Sequence, residues 1–445
     1  MKWHIAVQVG DVPPDVTVGE GEQVLPLAVD TQGAPGSLSH NVWDKLGRSR
    51  LPESPPAAVD LFRMAAAVFA ADLRIPRAGP RSDSWTRDLM LHLPVTDVDL
   101  WNAARQDAEA FLRFLTGDVW HIEFSQADFG MPPPRRLRDT EAPLDASVVC
   151  LLSGGLDSFI GASDTLARGE RPYLVSVGSQ GSAAHSTRAQ DRTASALRER
   201  YGADHLRYLR FRASPPRKQY RGQQEDTQRS RSVLFMGLGV LTAATVGPDV
   251  PLIIPENGFI TLNVPLTPSR LGTLSTRTTH PETIRLFEAL LRKVGIGNPL
   301  LLPYRFATKG EMLDNAADRD WVIDTASDTV SCAHPTGDRF LGGKILRHHC
   351  GHCLPCIIRR ASLHHVDADD LREYRRNILT EGLDPGKRGA DVRAARIAAL
   401  RDPDAVGVAD VLRSGPLPAD ETDLHRYVGV YRSGLRELAQ FFNPG

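Results

Sequence analysis

Excess charge of either sign is missing from this chain: 445 residues carry 53 Lys and Arg against 54 Asp and Glu. That balance gives no electrostatic footprint for nucleic acid or an anionic membrane. Long hydrophobic runs are missing too. No stretch approaches the roughly 18 apolar residues of a membrane span. The opening Met1-Lys2-Trp3-His4 lacks the basic and apolar regions of a secretory signal, so a cytoplasmic protein without a membrane partner is expected. Aromatic residues make up only 7%, and with the charges balanced direct nucleic-acid binding is not expected. Lysine is scarce, with seven against 46 arginines. No tandem repeat marks a solenoid. The pattern G-x-x-x-x-G-K-[ST] is absent, which disfavours the common γ-phosphate transfer chemistry. Cysteine is also sparse: Cys150, Cys332, Cys350, Cys353 and Cys356 are the only five. An odd number, four of them clustered, excludes a complete disulfide framework and favours a metal.

What is present divides the chain into four parts. Residues 1–140 read as an α+β region, with strands near Ile5–Val9, Asp88–Leu93 and Trp120–Phe124 and helices near Val59–Leu73 and Trp101–Leu115. Pro132-Pro133-Pro134-Arg135-Arg136 reads as a linker. Residues 141–330 alternate short apolar strands with helices, the signature of a parallel sheet covered on both faces. The first strand, Ser147–Leu152, is a continuous apolar run from Val148 on, as a strand buried on both faces must be. Residues 331–362 hold the cysteines, and residues 363–445 are helical in pattern.

Ser153-Gly154-Gly155-Leu156-Asp157-Ser158 follows that first strand and opens a helix. Two glycines let the backbone approach an anion, and a helix N-terminus offers unpaired N–H groups. The hydroxyls of Ser153 and Ser158 add donors, and Asp157 suits a divalent cation. The bland alternative is a tight turn with a helix cap. The second cluster is Cys332 followed eighteen positions later by Cys350-x-x-Cys353-x-x-Cys356. Four thiolates suit a closed, structural zinc site, with an Fe–S cluster or free thiols as alternatives. His348, His349 and His352 read as surface residues, and Cys150 as a small apolar residue of a buried strand.

The loop Ser153–Ser158 resembles that of the PP-loop ATP pyrophosphatases. Ser331-Cys332, Cys350-Gly351-x-Cys353-x-x-Cys356-x-x-Arg359 and Thr308-Lys309-Gly310-Glu311 resemble motifs of the 7-cyano-7-deazaguanine synthase (QueC) family. The resemblance covers roughly residues 145–362. It implies an adenine-nucleotide alpha-hydrolase-like (HUP) sheet, ATP and Mg²⁺ as reactants, and a structural Zn²⁺ on Cys332, Cys350, Cys353 and Cys356. It implies ATP binding by Ser153, Gly154, Gly155, Leu156, Asp157 and Ser158, and by Ser179 and Gln180 in the turn after the second strand of that sheet. It implies catalytic roles for Asp157, Lys309 and Arg231, with Ser232 where the family has Asn.

The QueC substrate segment, a Tyr-Pro-Asp-Cys-Arg run, is missing. Glu256, Asn257, Arg277 and His280 stand as candidates for an altered substrate site. The basic run Arg217, Lys218, Arg221, Arg229 and Arg231 reads as a solvated loop or a lid. The whole layout resembles the QueC-like proteins of the Qat anti-phage defence systems, which implies protein partners from that system. The expected activity is adenylation of a deazaguanine-type carboxylate, followed by transfer to ammonia or to an amine, including one on a partner protein. The alternative is a nucleotide-binding scaffold or sensor without turnover.

Overall fold

A computed structural model describes residues 2–10, 14, 16–30, 36–77, 86–128, 131–134, 141–178, 184–214, 229–267, 277–334, 349–382, 386–417 and 421–443. The chain runs through β1 (Lys2–Val9), β2 (Gln23–Val29), β3 (Ser39–His40), α1 (Val42–Arg48), α2 (Pro56–Arg74), β4 (Asp88–Val95), α3 (Val98–Ala103), α4 (Arg105–Thr116) and β5 (Val119–Gln126). It continues through β6 (Val148–Leu151), α5 (Leu156–Ala167), β7 (Pro172–Gly178), α6 (Ala184–Tyr201), β8 (Arg207–Ser214), α7 (Arg231–Val246), β9 (Leu252–Ile253), α8 (Gly258–Leu262), α9 (Pro281–Lys293) and β10 (Leu300–Leu301). The remaining α-helices among the described residues are α10 (Lys309–Asp314), α11 (Arg319–Asp324), α12 (Leu354–His365), α13 (Ala390–Ala399), α14 (Val408–Val411) and α15 (Glu421–Phe442).

Two sheets form. The first has the order β2-β1-β4-β5, and all its pairings are parallel. This corrects the α+β reading of residues 1–140: the region is built like an α/β unit. β4 and β5, joined through α3 and α4, emerge side by side in the same direction. The expected helix Trp101–Leu115 is two helices that meet at Ala104. The second sheet has the order β10-β9-β6-β7-β8-β3, parallel except for the antiparallel edge strand β3. The N-terminal region thus supplies an edge strand to the second sheet.

Helices α2 and α7 pack on each other between the two sheets. Both are buried nearly all round, and α7 is apolar along most of its length, as a helix covered on two sides must be. Close approach needs small residues on α7. A Cβ at Gly237 would stand 2.8 Å from that of Ala65, and one at Gly239 would stand 2.9 Å from Leu151 and Leu252. One hydrophobic core therefore runs from Ile5 to Ile296, and the boundary expected near residue 140 is no break in it. A buried ionic cluster reinforces the junction. Asp118 and Asp72 accept hydrogen bonds from Arg77 and Arg87, and Asp72 also accepts from the amide and hydroxyl of Ser230, just before α7. A second core joins α8, α12, α13 and α15.

The strand order decides where a ligand fits. From β6 the chain steps to β7 and β8 on one side, then returns to place β9 on the other side of β6. A parallel sheet opens a crevice at such a reversal, outside the carboxyl ends of the strands.

Candidate functional site

A pocket of about 760 Å³ occupies that crevice. The loop after β6 forms its floor. Gly154 has φ of +83°, which a side-chain-bearing residue rarely adopts, and a Cβ there would stand 2.9 Å from the Gln190 amide nitrogen. The hydroxyl of Ser158 donates to Gly155 O and accepts from the Ser153 amide at 3.1 Å. The hydroxyls of Ser153 and Ser158 are 3.0 Å apart. The bulge is thus held open by its own side chains, and α5 begins at Leu156 with its N-terminus toward the pocket.

Asp157 is held from two distant segments. Lys309 Nζ lies 2.8 Å from one carboxylate oxygen. The other accepts from the Asn257 side-chain amide at 2.6 Å and from the Asn257 backbone at 3.2 Å. Lys309 is nearly buried, at 3% exposed. Its position follows from a capping box: the Thr308 hydroxyl accepts from the Glu311 amide, and the Glu311 carboxylate accepts from the Thr308 amide. Thr308 also donates to Glu437 of α15, and Ser362 of α12 donates to the same carboxylate. Burial pushes the Glu437 carboxyl above its ordinary range.

Arg231 opens α7 and lines the pocket, with Nη2 donating to Val177 O at 3.3 Å. Burial lowers the pKa of its guanidinium. Arg77 and Arg229 line the same wall.

The four substrate candidates separate. Glu256, at the carboxyl end of β9, lines the pocket and accepts a hydrogen bond from the Thr279 hydroxyl. Asn257 holds Asp157 and caps α8, with its side-chain oxygen accepting from the Ile260 amide. Arg277 and His280 are not in the pocket lining. The Arg277 guanidinium lies 4.5 Å from the centre of the Phe114 ring. His280 is fully buried and caps α9 by accepting from the Glu282 amide. Ser179 and Gln180 lie outside the described residues, as do Arg217, Lys218 and Arg221 of the basic run.

The sulfurs of Cys332, Cys350, Cys353 and Cys356 all lie within 4.8 Å of one another. Three of the separations are 3.9, 3.9 and 3.3 Å, far beyond a disulfide bond. A tetrahedron of Zn–S bonds about 2.3 Å long has edges of about 3.8 Å, so the donor set and spacing fit structural zinc. Gly351, with φ of +82°, makes the knuckle turn, where a Cβ would stand 2.4 Å from Arg376 O. Cys150 is buried in β6 among apolar residues, and burial pushes its thiol up to about 12.

This cluster touches the loop after β6. The Val330 amide donates to Gly154 O, the Leu156 amide donates to the Ser331 hydroxyl, and Cys332 lines the pocket. His349 corrects the surface reading of the histidines. It is fully buried, and its Nε2 accepts from the Ser331 amide at 3.1 Å. His352 is half-buried beside Cys350, and His348 lies outside the described residues. Arg359 is also fully buried, binding Thr329, Ala326 O and Glu373, and so ties α12 to the segment leading into Cys332.

Sequence reasoning gave no role to Ser331, His349, Thr279, Glu437 or Arg77. Adjacency to Cys332 and Cys350 was the available signal for the first two. The others arrive from distant segments and carried none. No protein-family model matches the chain, and no curated protein matches it.

Proposed function

We propose that the chain is a QueC-like adenylating enzyme of the PP-loop type. It uses ATP to activate a deazaguanine-type carboxylate and belongs to a Qat-type anti-phage defence assembly. The observation that carries the reading is one arrangement. An anion-ready loop and helix N-terminus share a pocket with Lys309, Arg231 and a tethered Asp157, at the reversal point of a parallel sheet. A volume of about 760 Å³ is ample for a nucleotide and falls in the range of ligand sites.

In this reading Ser153, Ser158 and the loop amides hold the pyrophosphate portion of ATP. Lys309 and Arg231 stabilise the negative charge that grows there. Asp157, aimed by Asn257, holds Mg²⁺, which when bound supplies further neutralisation of the phosphates. The substrate carboxylate oxygen attacks the α-phosphorus, the bond to the bridging oxygen breaks, and pyrophosphate leaves. A nitrogen nucleophile then displaces AMP from the activated acyl group.

The test is direct. Full-length protein is incubated with ATP, Mg²⁺ and 7-carboxy-7-deazaguanine, and AMP and pyrophosphate are quantified against an Asp157→Asn control. AMP formation that depends on the acid and on Asp157 supports the reading. Tight ATP binding without AMP, with the assembly partners present, sinks it in favour of a non-turnover nucleotide module.

A further inference from the structure

Glu256 is a carboxylate that the loop chemistry does not use. It stands at the carboxyl end of β9, across the strand reversal from Ser153–Ser158, and lines the same pocket as Asp157 and Lys309. One of its oxygens accepts from the Thr279 hydroxyl, and that hydroxyl lies 3.3 Å from the hydroxyl of Thr261. Two segments thus fix the carboxylate in place.

The groups around it set its proton affinity. Burial raises its pKa to about 7, with Asp157 of α5 adding to the rise, while the Thr279 hydrogen bond and Lys309 of α10 work against it. A carboxylate in that range exchanges a proton near neutral pH, as a general base must. Asp157 has a different task, because Lys309 pairs with it and Asn257 orients it. Two carboxylates in one pocket with different surroundings divide the labour.

We infer that Glu256 is the general base of the second half-reaction, taking the proton of the nitrogen nucleophile as it attacks the acyl adenylate. The inference rests on the adenylation reading. The nitrogen lone pair forms the C–N bond. The C–O bond to AMP breaks, and its electron pair leaves on the phosphate oxygen. The proton lost by nitrogen passes to the Glu256 carboxylate and then to solvent. Atoms and charge balance with ammonia or a primary amine as the only co-reactant.

The experiment separates the two halves in the full chain. Pyrophosphate–ATP exchange with 7-carboxy-7-deazaguanine and Mg²⁺, without ammonium, reads adenylation alone. Amide formation with ammonium chloride, at constant free ammonia, reads both halves. Glu256→Gln is expected to lower amide formation by about 100-fold and exchange by less than about threefold. The wild-type rate is expected to rise through a limb near pH 7 that the variant lacks. Glu256→Asp is expected to restore part of the rate. Equal losses in both assays, a rise confined to the KM for the acid, or an unchanged pH profile overturn the inference, the second by making Glu256 a substrate-reading residue. Absence of exchange in the wild-type protein overturns the adenylation reading itself.

Discussion

The backbone amide of Leu156 donates to the hydroxyl of Ser331 at 3.2 Å, across 175 positions of sequence. Leu156 is the first residue of the helix after the glycine turn, and Ser331 immediately precedes the first clustered cysteine. The hydroxyl therefore occupies an N–H that the helix terminus would otherwise leave unpaired. With Val330 bound to Gly154 O and His349 holding the Ser331 amide, the loop and the cysteine segment are one mechanical unit.

Metal removal is accordingly expected to weaken nucleotide binding as well as fold stability. Elemental analysis is expected to find zinc bound in a one-to-one ratio to the chain. Chelation under reducing conditions is expected to lower ATP affinity by about tenfold, or about 1.4 kcal/mol. Calorimetric titration with and without chelator checks this. Unchanged affinity in metal-free protein shows that the two sites are independent. Ser331→Ala is expected to have a smaller effect, about 1 kcal/mol.

Gly310 gives a test with an inverted sign. Alanine in place of a helical glycine normally stabilises by up to about 1 kcal/mol. At Gly310 a Cβ would stand 2.5 Å from a carboxylate oxygen of Glu437. Gly310→Ala is therefore expected to destabilise by about 1–3 kcal/mol and to displace Lys309. Thermal unfolding and ATP titration of the variant read the two effects.

The Asp157–Lys309 pair is expected to behave as a unit. Loss of Asp157 alone leaves a nearly buried ammonium without its counter-charge, at a cost of about 3–5 kcal/mol. Asp157→Asn combined with Lys309→Met removes both charges and is expected to recover part of that loss. A double-mutant cycle by denaturant unfolding measures the coupling. Additive effects remove the claim that the pair is coupled.

His280 predicts an acid sensitivity. Burial, with a contribution from Arg277, pushes its pKa from 6.5 down to about 3. Between these values the unfolded ring binds a proton that the folded ring does not, so stability falls as pH is lowered through the window. Protonation would also remove the Nδ1 lone pair that accepts from the Glu282 amide. Glu256 acts in the opposite sense between 4.5 and about 7, where the folded state holds the extra proton. Lowering pH from about 7 to about 5 is expected to cost up to about 2 kcal/mol through His280. Urea unfolding at both values, with His280→Gln, checks this: the variant is expected to lose less stability than wild type.

The elements most legible in the sequence were those coded by neighbours. The apolar run within Ser147–Leu152 forms β6 (Val148–Leu151), because a strand buried on both faces has no polar side to write. The run at Thr308–Glu311 forms a capping box that starts α10. The helix expected near Val59–Leu73 forms close to those limits. The region before residue 140 was harder. Its strands were mostly visible, but strand direction is a property of pairing, so a parallel sheet looked like an α+β mixture. Arg277 and His280 had the right chemistry for a substrate site yet pack against Phe114, because chemistry does not encode facing.

By itself the sequence determined the glycine turn, the four-cysteine spacing and the strand–helix alternation, since each is fixed by residues close together in the chain. Only the tertiary structure decided that β9 returns to the far side of β6, which brings Glu256 and Asn257 to Asp157. It also decided that Ser331 caps α5, and that α15 supports Lys309 through Glu437. Those contacts join segments 100 or more positions apart, and their geometry is set by helices and sheets burying apolar surface together.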